Sequence, residues 1–106
     1  MADGFISQSQ ITQYTNTAVH TVTAGRYAEF SVALFNTTTQ PINASIAIGA
    51  NTNPANVNYI NQGITIPAKA VWERTGLVAN ASKKIVVITT ANGVNASVYG
   101  LETPAT

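Results

Sequence analysis

The sequence predicts an all-β protein, a single antiparallel β-sandwich of about seven or eight strands, jelly-roll or immunoglobulin-like. Three observations carry this prediction. Apolar and polar residues alternate with period two in one segment after another, which fits half-buried strands and not helices. Thr, Val, Ile, Asn and Ala dominate, and the β-branched residues among them suit a pleated surface. Turn signals recur about every ten residues, and the 106 residues make one domain with room for one core.

The N-terminal residues 1–17, MADGFISQSQITQYTNT, hold isolated apolar side chains at Phe5, Ile6, Ile11 and Tyr14. These are too sparse to build a core alone. The segment therefore stands apart from a sandwich domain at 18–106, either as an edge strand with a frayed start or as an arm that orders on a neighbouring subunit. Val19 and Val22 flank His20 in a β-like run. A strand from about 27 to 36 follows, with Ala28, Phe30, Val32 and Leu34 on one face and Tyr27, Glu29, Ser31 and Phe35 on the other. The run from Asn36 to Pro41 breaks it, because Pro41 cannot donate to a ladder. Ile42, Ala44, Ile46 and Ile48 then alternate with Asn43, Ser45 and Ala47 as far as Gly49.

From Ala50 to Gly63, ANTNPANVNYINQG reads as a long Asn-rich loop, with room for a short strand at Val57 to Ile60. Ile64 and Ile66 mark a strand stopped at Pro67, and Ala70 to Arg74, Ile85 to Thr90 and Val94 to Leu101 complete the set. Asn92-Gly93 predicts a two-residue type I′ hairpin between the last two, since both turn positions need positive φ. In that register Ala91 faces Val94, Thr89 faces Ala96, Val87 faces Val98 and Ile85 faces Gly100, making one apolar face. Val86, Ile88 and Tyr99 share the other face with Ser97, and Leu101 continues it.

That second face is a candidate protein interface, because a lone sheet normally shows water a polar surface. Tyr27 and Phe35 extend it if their strand lies in the same sheet, and Phe5, Ile6, Ile11 and Tyr14 are the contact candidates of the N-terminal segment. The alternative places Val86, Ile88 and Tyr99 in the core, or has the chain itself cover both faces.

Catalytic groups are not predicted. A hydrolytic triad needs a nucleophile, a base and a group that orients the base, and His20 is the sole histidine. It reads as structural or exposed. The carboxylates Asp3, Glu29, Glu73 and Glu102 show no spacing for a glycosidase pair, a zinc set or a calcium loop, so no metal and no cofactor are expected. The glycines are dispersed, without a phosphate-loop pattern. Trp72, in AVWERTG, is either a core residue or an exposed platform for a sugar or a protein, and Glu73 and Arg74 beside it point to opposite faces. The Asn-x-Ser/Thr sequons at Asn36, Asn43, Asn80 and Asn95 fit chance in so Asn-, Thr- and Ser-rich a chain.

Only 8% of residues are charged, against about 25% in typical globular proteins. A net charge of +1 gives no field to attract nucleic acid or anionic lipid, so neither is an expected partner. Without cysteine, stability must come from packing and backbone pairing. The N-terminal residues lack a signal-peptide pattern and no apolar run approaches a membrane span, so the expectation is a protein kept in the cytosol until it assembles.

Residues 64–88, ITIPAKAVWERTGLVANASKKIVVI, and residues 92–102, NGVNASVYGLE, resemble small structural proteins of tailed bacteriophages, those of cyanobacterial phages above all. The shared features are a Pro-Ala turn, the Glu-Arg-Thr-Gly-Leu-Val segment and a final Val-Tyr-Gly-Leu-Glu strand, and NPANVNYI at 53–60 fits the same pattern. The resemblance covers about half the chain. It implies a non-enzymatic virion component, assembled in the host cytoplasm as a homo-oligomer, dimer or trimer, on the major capsid protein or other virion proteins. Small size favours a head decoration (cement) protein, which binds the assembled shell and stabilises it by linkage. A tail, baseplate or neck component is the alternative, and a carbohydrate-binding module, suggested by Trp72, the Tyr residues and the Asn-rich loop, is the third reading.

Overall fold

The computed structural model describes residues 3–53 and 58–104. Eight strands run through them: β1 (Asp3–Ile11), β2 (Thr17–Thr21), β3 (Arg26–Asn36), β4 (Ile42–Gly49), β5 (Tyr59–Ile66), β6 (Val71–Ala79), β7 (Lys84–Thr89) and β8 (Val94–Pro104). They form two four-stranded antiparallel sheets, a front sheet ordered β1-β8-β3-β6 and a back sheet ordered β2-β7-β4-β5. The pairings β1·β8, β2·β7, β3·β6 and β4·β5 are those of one long hairpin folded at the β4–β5 turn. Rolling that hairpin up brings β8 against β3 and β7 against β4. The result is the eight-stranded jelly roll, and the immunoglobulin-like alternative falls away.

Period-two alternation builds the core directly. Ala28, Phe30, Val32 and Leu34 of β3 are buried and face Ile42, Ala44 and Ile46 of β4, while Ile85, Val87, Val94, Ala96 and Val98 complete the centre. Asn36 is fully buried at the β3 corner, and its carboxamide is satisfied. Nδ2 donates to the carbonyls of Gln40 at 2.7 Å and Ile66 at 3.0 Å, and Oδ1 accepts from the Thr38 amide at 2.9 Å.

Two sequence expectations are corrected here. First, β7 and β8 are not a hairpin: they belong to different sheets, and residues 90–93 form a corner that crosses the sandwich. Gly93 has φ +110°, but Asn92 is not at positive φ, so the type I′ geometry is absent. Asn92 instead accepts the Gln13 amide on its Oδ1 at 2.8 Å, and the Gly93 carbonyl accepts from the Thr37 amide at 2.8 Å and hydroxyl at 2.7 Å. The pair ties three corners together. The two apolar sets, Ile85/Val87 and Val94/Ala96/Val98, still face inward, but they meet across the core and not side by side.

Second, the loop expected from Ala50 to Gly63 is shorter, because a continuous β5 begins at Tyr59. This strand pairs with β4 through two register shifts, and its Asn, Gln and Gly residues suit an irregular edge. Val57, where a short strand could begin, lies outside the described residues.

Candidate assembly surface and histidine seam

The outer face of the front sheet is built from the outward residues of β1, β8, β3 and β6. Cross-strand register aligns Gly4, Leu101, Glu29 and Val78 in one row, and Gln10, Asn95, Phe35 and Val71 in another. Ile6 and Tyr99 pair between these rows, with Ser31 next to Tyr99. Six large apolar side chains are exposed among the described residues, and five of them, Ile6, Phe35, Val71, Val78 and Leu101, lie on this face. The Tyr99 phenol, half-buried among them, donates to the Glu73 carboxylate. That hydrogen bond holds the Tyr99 hydroxyl above its ordinary pKa, because ionisation would set two negative charges together. Gly76, at φ +74°, makes the bulge in β6 that separates the Phe30–Leu77 and Val32–Arg74 pairs and opens a shallow depression beside Tyr99 and Val78.

The back sheet differs. Ala18, Val86, Ala47 and Tyr59 align across its outer face, yet Val86 is 2% and Ala47 0% exposed. Asn16, just before β2, donates its side-chain amide to Asn53, beyond β4, at 3.4 Å. Since β7 lies between β2 and β4, this contact joins the segments on either side of β7.

The interface candidates therefore separate. Ile6, Phe35 and Leu101 are exposed on the front face, where Tyr27 and Tyr99 are half-buried. Ile88 is half-buried on the back face, so it forms no patch with Tyr99. Val86 is covered by its own chain, and Ile11, 1% exposed, sits in the core because β1 turns it inward opposite Val94. Neither is open to a partner. Phe5 turns inward and Tyr14 is exposed on the β1–β2 link at φ 55°. Val71 and Val78 belong to the front face but escaped the sequence reading, although their alternation with Trp72 and Leu77 could have placed them. Trp72 packs against the core. Glu73 and Arg74 do point apart: Glu73 meets Tyr99 outside, and Arg74 turns in to donate to Asn61 Oδ1 of β5 at 2.5 Å.

A second cluster lies where β1 and β8 meet β2. The β2 register shifts between Ala18 and His20, which sets His20 opposite Ile85 and aims it into the seam between the sheets. Its ring stacks on Phe5, with centroids 4.2 Å apart and planes at 11°. Nε2 is 2.7 Å from the Glu102 carboxylate and Nδ1 is 2.8 Å from the Ser7 hydroxyl. A carboxylate can only accept, so in the neutral ring Nε2–H donates to Glu102 and Nδ1 accepts from Ser7. Burial pushes the Glu102 carboxyl up, but Thr23 and His20 outweigh it and hold the group below the usual carboxylate range. The order Ser-His-Glu is that of a hydrolytic relay. Ser7, however, is on the inward side of β1, paired with buried Val98, so the arrangement fastens strands.

No protein-family model and no curated protein sequence matches the chain. Solved structures share its fold. A chain from the acid-stable capsid of Helicobacter pylori bacteriophage KHP30 is 14% identical with a TM-score of 0.58, over 99% of this chain and 95% of its own. A chain of the IBDV viral particle is 7% identical with a TM-score of 0.57; 97% of this chain matches 31% of that one, so this chain spans about a third of its length. At such identities the likeness is one of fold.

Proposed function

We propose that the protein is a virion structural protein, a decoration or cement protein that binds across capsid subunits through the outer face of its front sheet. The observation that carries this reading is the concentration of five exposed large apolar side chains on that one face. Two further points support it. The sandwich has the fold of a phage capsid chain of nearly equal length and of about a third of a chain from a viral particle. The chain also resembles small structural proteins of tailed phages, cyanophages included. Acting as a dimer or trimer on the major capsid protein, it stabilises the assembled shell because it binds that state and not free subunits. Many copies multiply a modest contact.

The test is binding of the purified protein to shells that lack it, followed by co-sedimentation. Leu101→Asp and Tyr99→Ala should each weaken attachment by about 1–3 kcal/mol while the free domain keeps its fold. Attachment undiminished in both variants would refute this surface. Copy number, by quantitative mass spectrometry of particles, separates head from tail: hundreds of copies fit a shell component, six or twelve a tail component. The carbohydrate-binding reading loses its main motive, since Trp72 packs against the core.

A further inference from the structure

We propose that Ser7, His20 and Glu102 form a clasp that fastens edge strand β1 across the seam, keeps its hydrogen bonds whichever charge the imidazole carries, and lets go only when Glu102 takes up a proton. The chain has one histidine, and it is wired into the seam between Ser7 and Glu102. With the ring neutral, Ser7 donates to Nδ1 at 2.8 Å; with the ring charged, both ring N–H groups donate and the Ser7 oxygen accepts. A hydroxyl can serve both roles by rotating. Glu102 accepts from Nε2 in either state, and the bond gains charge assistance when the ring is protonated.

The clasp matters because β1 has little else inside. Its inward residues are Phe5, Ser7, Ser9 and Ile11, and of these Ile11 alone is buried in the core. The first half of β1 is held by its ladder to β8, by the Phe5–His20 stack and by the Ser7 bond. Charged residues of three elements adjoin the clasp residues in contact or in backbone register. Arg26 of β3 donates to the Glu102 carbonyl at 3.4 Å, Lys84 of β7 donates to the Thr21 hydroxyl at 3.2 Å, and Asp3 of β1 stands opposite Glu102 in register. An opened β1 bares the edge of β8, so the clasp controls whether that edge is available for pairing.

The sign of the acid response follows from Glu102. A carboxyl depressed in the folded state contributes stability above its unfolded value of about 4.3, and that contribution is lost as pH falls through the lower folded value. Hydrogen-exchange mass spectrometry of the full chain, read as protection factors for β1 from pH 8 to pH 3, tests the proposal. In the parent, β1 should stay protected through the imidazole range and open only below the ordinary carboxylate range. Glu102→Gln carries at every pH the neutral side chain that protonation would produce, so β1 protection near neutral pH should fall towards the parent's acid value and the acid step should vanish. Ser7→Ala should lower β1 protection roughly three- to tenfold at every pH and leave the acid step in place. The proposal is overturned if the parent strand opens as the histidine protonates, if the acid step survives in Glu102→Gln, or if Ser7→Ala leaves protection unchanged.

Discussion

The two outer faces of the sandwich come from the same alternating pattern and end in opposite conditions. On the back sheet, Val86 and Ala47 point away from the core yet are buried by their own chain. On the front sheet, Ile6, Phe35, Val71, Val78 and Leu101 point away from the core and stay open. Outward apolar residues are therefore not by themselves an interface. What separates the cases is whether the same chain buries them.

Substitutions that treat the faces alike should give unlike results. The largest effect is expected for Val86→Asp, which buries a charge and should cost roughly 3 kcal/mol or more, seen as a lower urea midpoint. A change within the error of the measurement would mean that the back face is as open as the front. Removing the Asn53 carboxamide, Asn53→Ala, should cost no more than about 0.5–1.5 kcal/mol and raise amide exchange in β7, because the contact joining the segments on either side of β7 is lost.

On the front face, Leu101→Asp should shift stability by no more than about 0.5 kcal/mol, since the residue is 48% exposed. A loss of several kcal/mol there would make the contrast between the faces false. The smallest effect belongs to Tyr99. Its phenol should ionise above the ordinary range in a spectrophotometric titration, and Glu73→Gln should bring it back down with little change in melting temperature. A titration that ignores Glu73 would remove that hydrogen bond from the description of the surface.

The sequence reveals faces better than partners. Strands 27–36 and 42–48 read correctly because period two fixes which side chains go in, and the inward sets of β7 and β8 emerge for the same reason. Which strand lies beside which is not a local property. Asn92-Gly93 offers a good local turn, but the corner is set by what its groups bond to on other corners, Gln13 and Thr37, far away in sequence. The Asn-rich start of β5 hides a strand because an irregular edge tolerates polar residues and bulges. The histidine seam is illegible for a similar reason: Ser7 lies 13 residues from His20 and Glu102 lies 82. Asn16 and Asn53, 37 residues apart, meet across β7, and nothing in the alternation around Val86 announces its burial.

The nested pairing also governs how the chain reaches this state. Only β4 and β5 pair as neighbours in sequence; β3·β6, β2·β7 and β1·β8 each enclose the pair before, and every other connection crosses between the sheets. Each outer pair closes a longer loop unless the inner ones have formed, and closing the ends early costs more entropy. The cheapest order therefore runs outward from the β4–β5 turn, with β1 docking last onto an otherwise finished β8. Topologies dominated by distant pairings typically fold in milliseconds to seconds. For that interval the β8 edge stands without its partner, and the chain is most exposed to mispairing just before the sheet is complete.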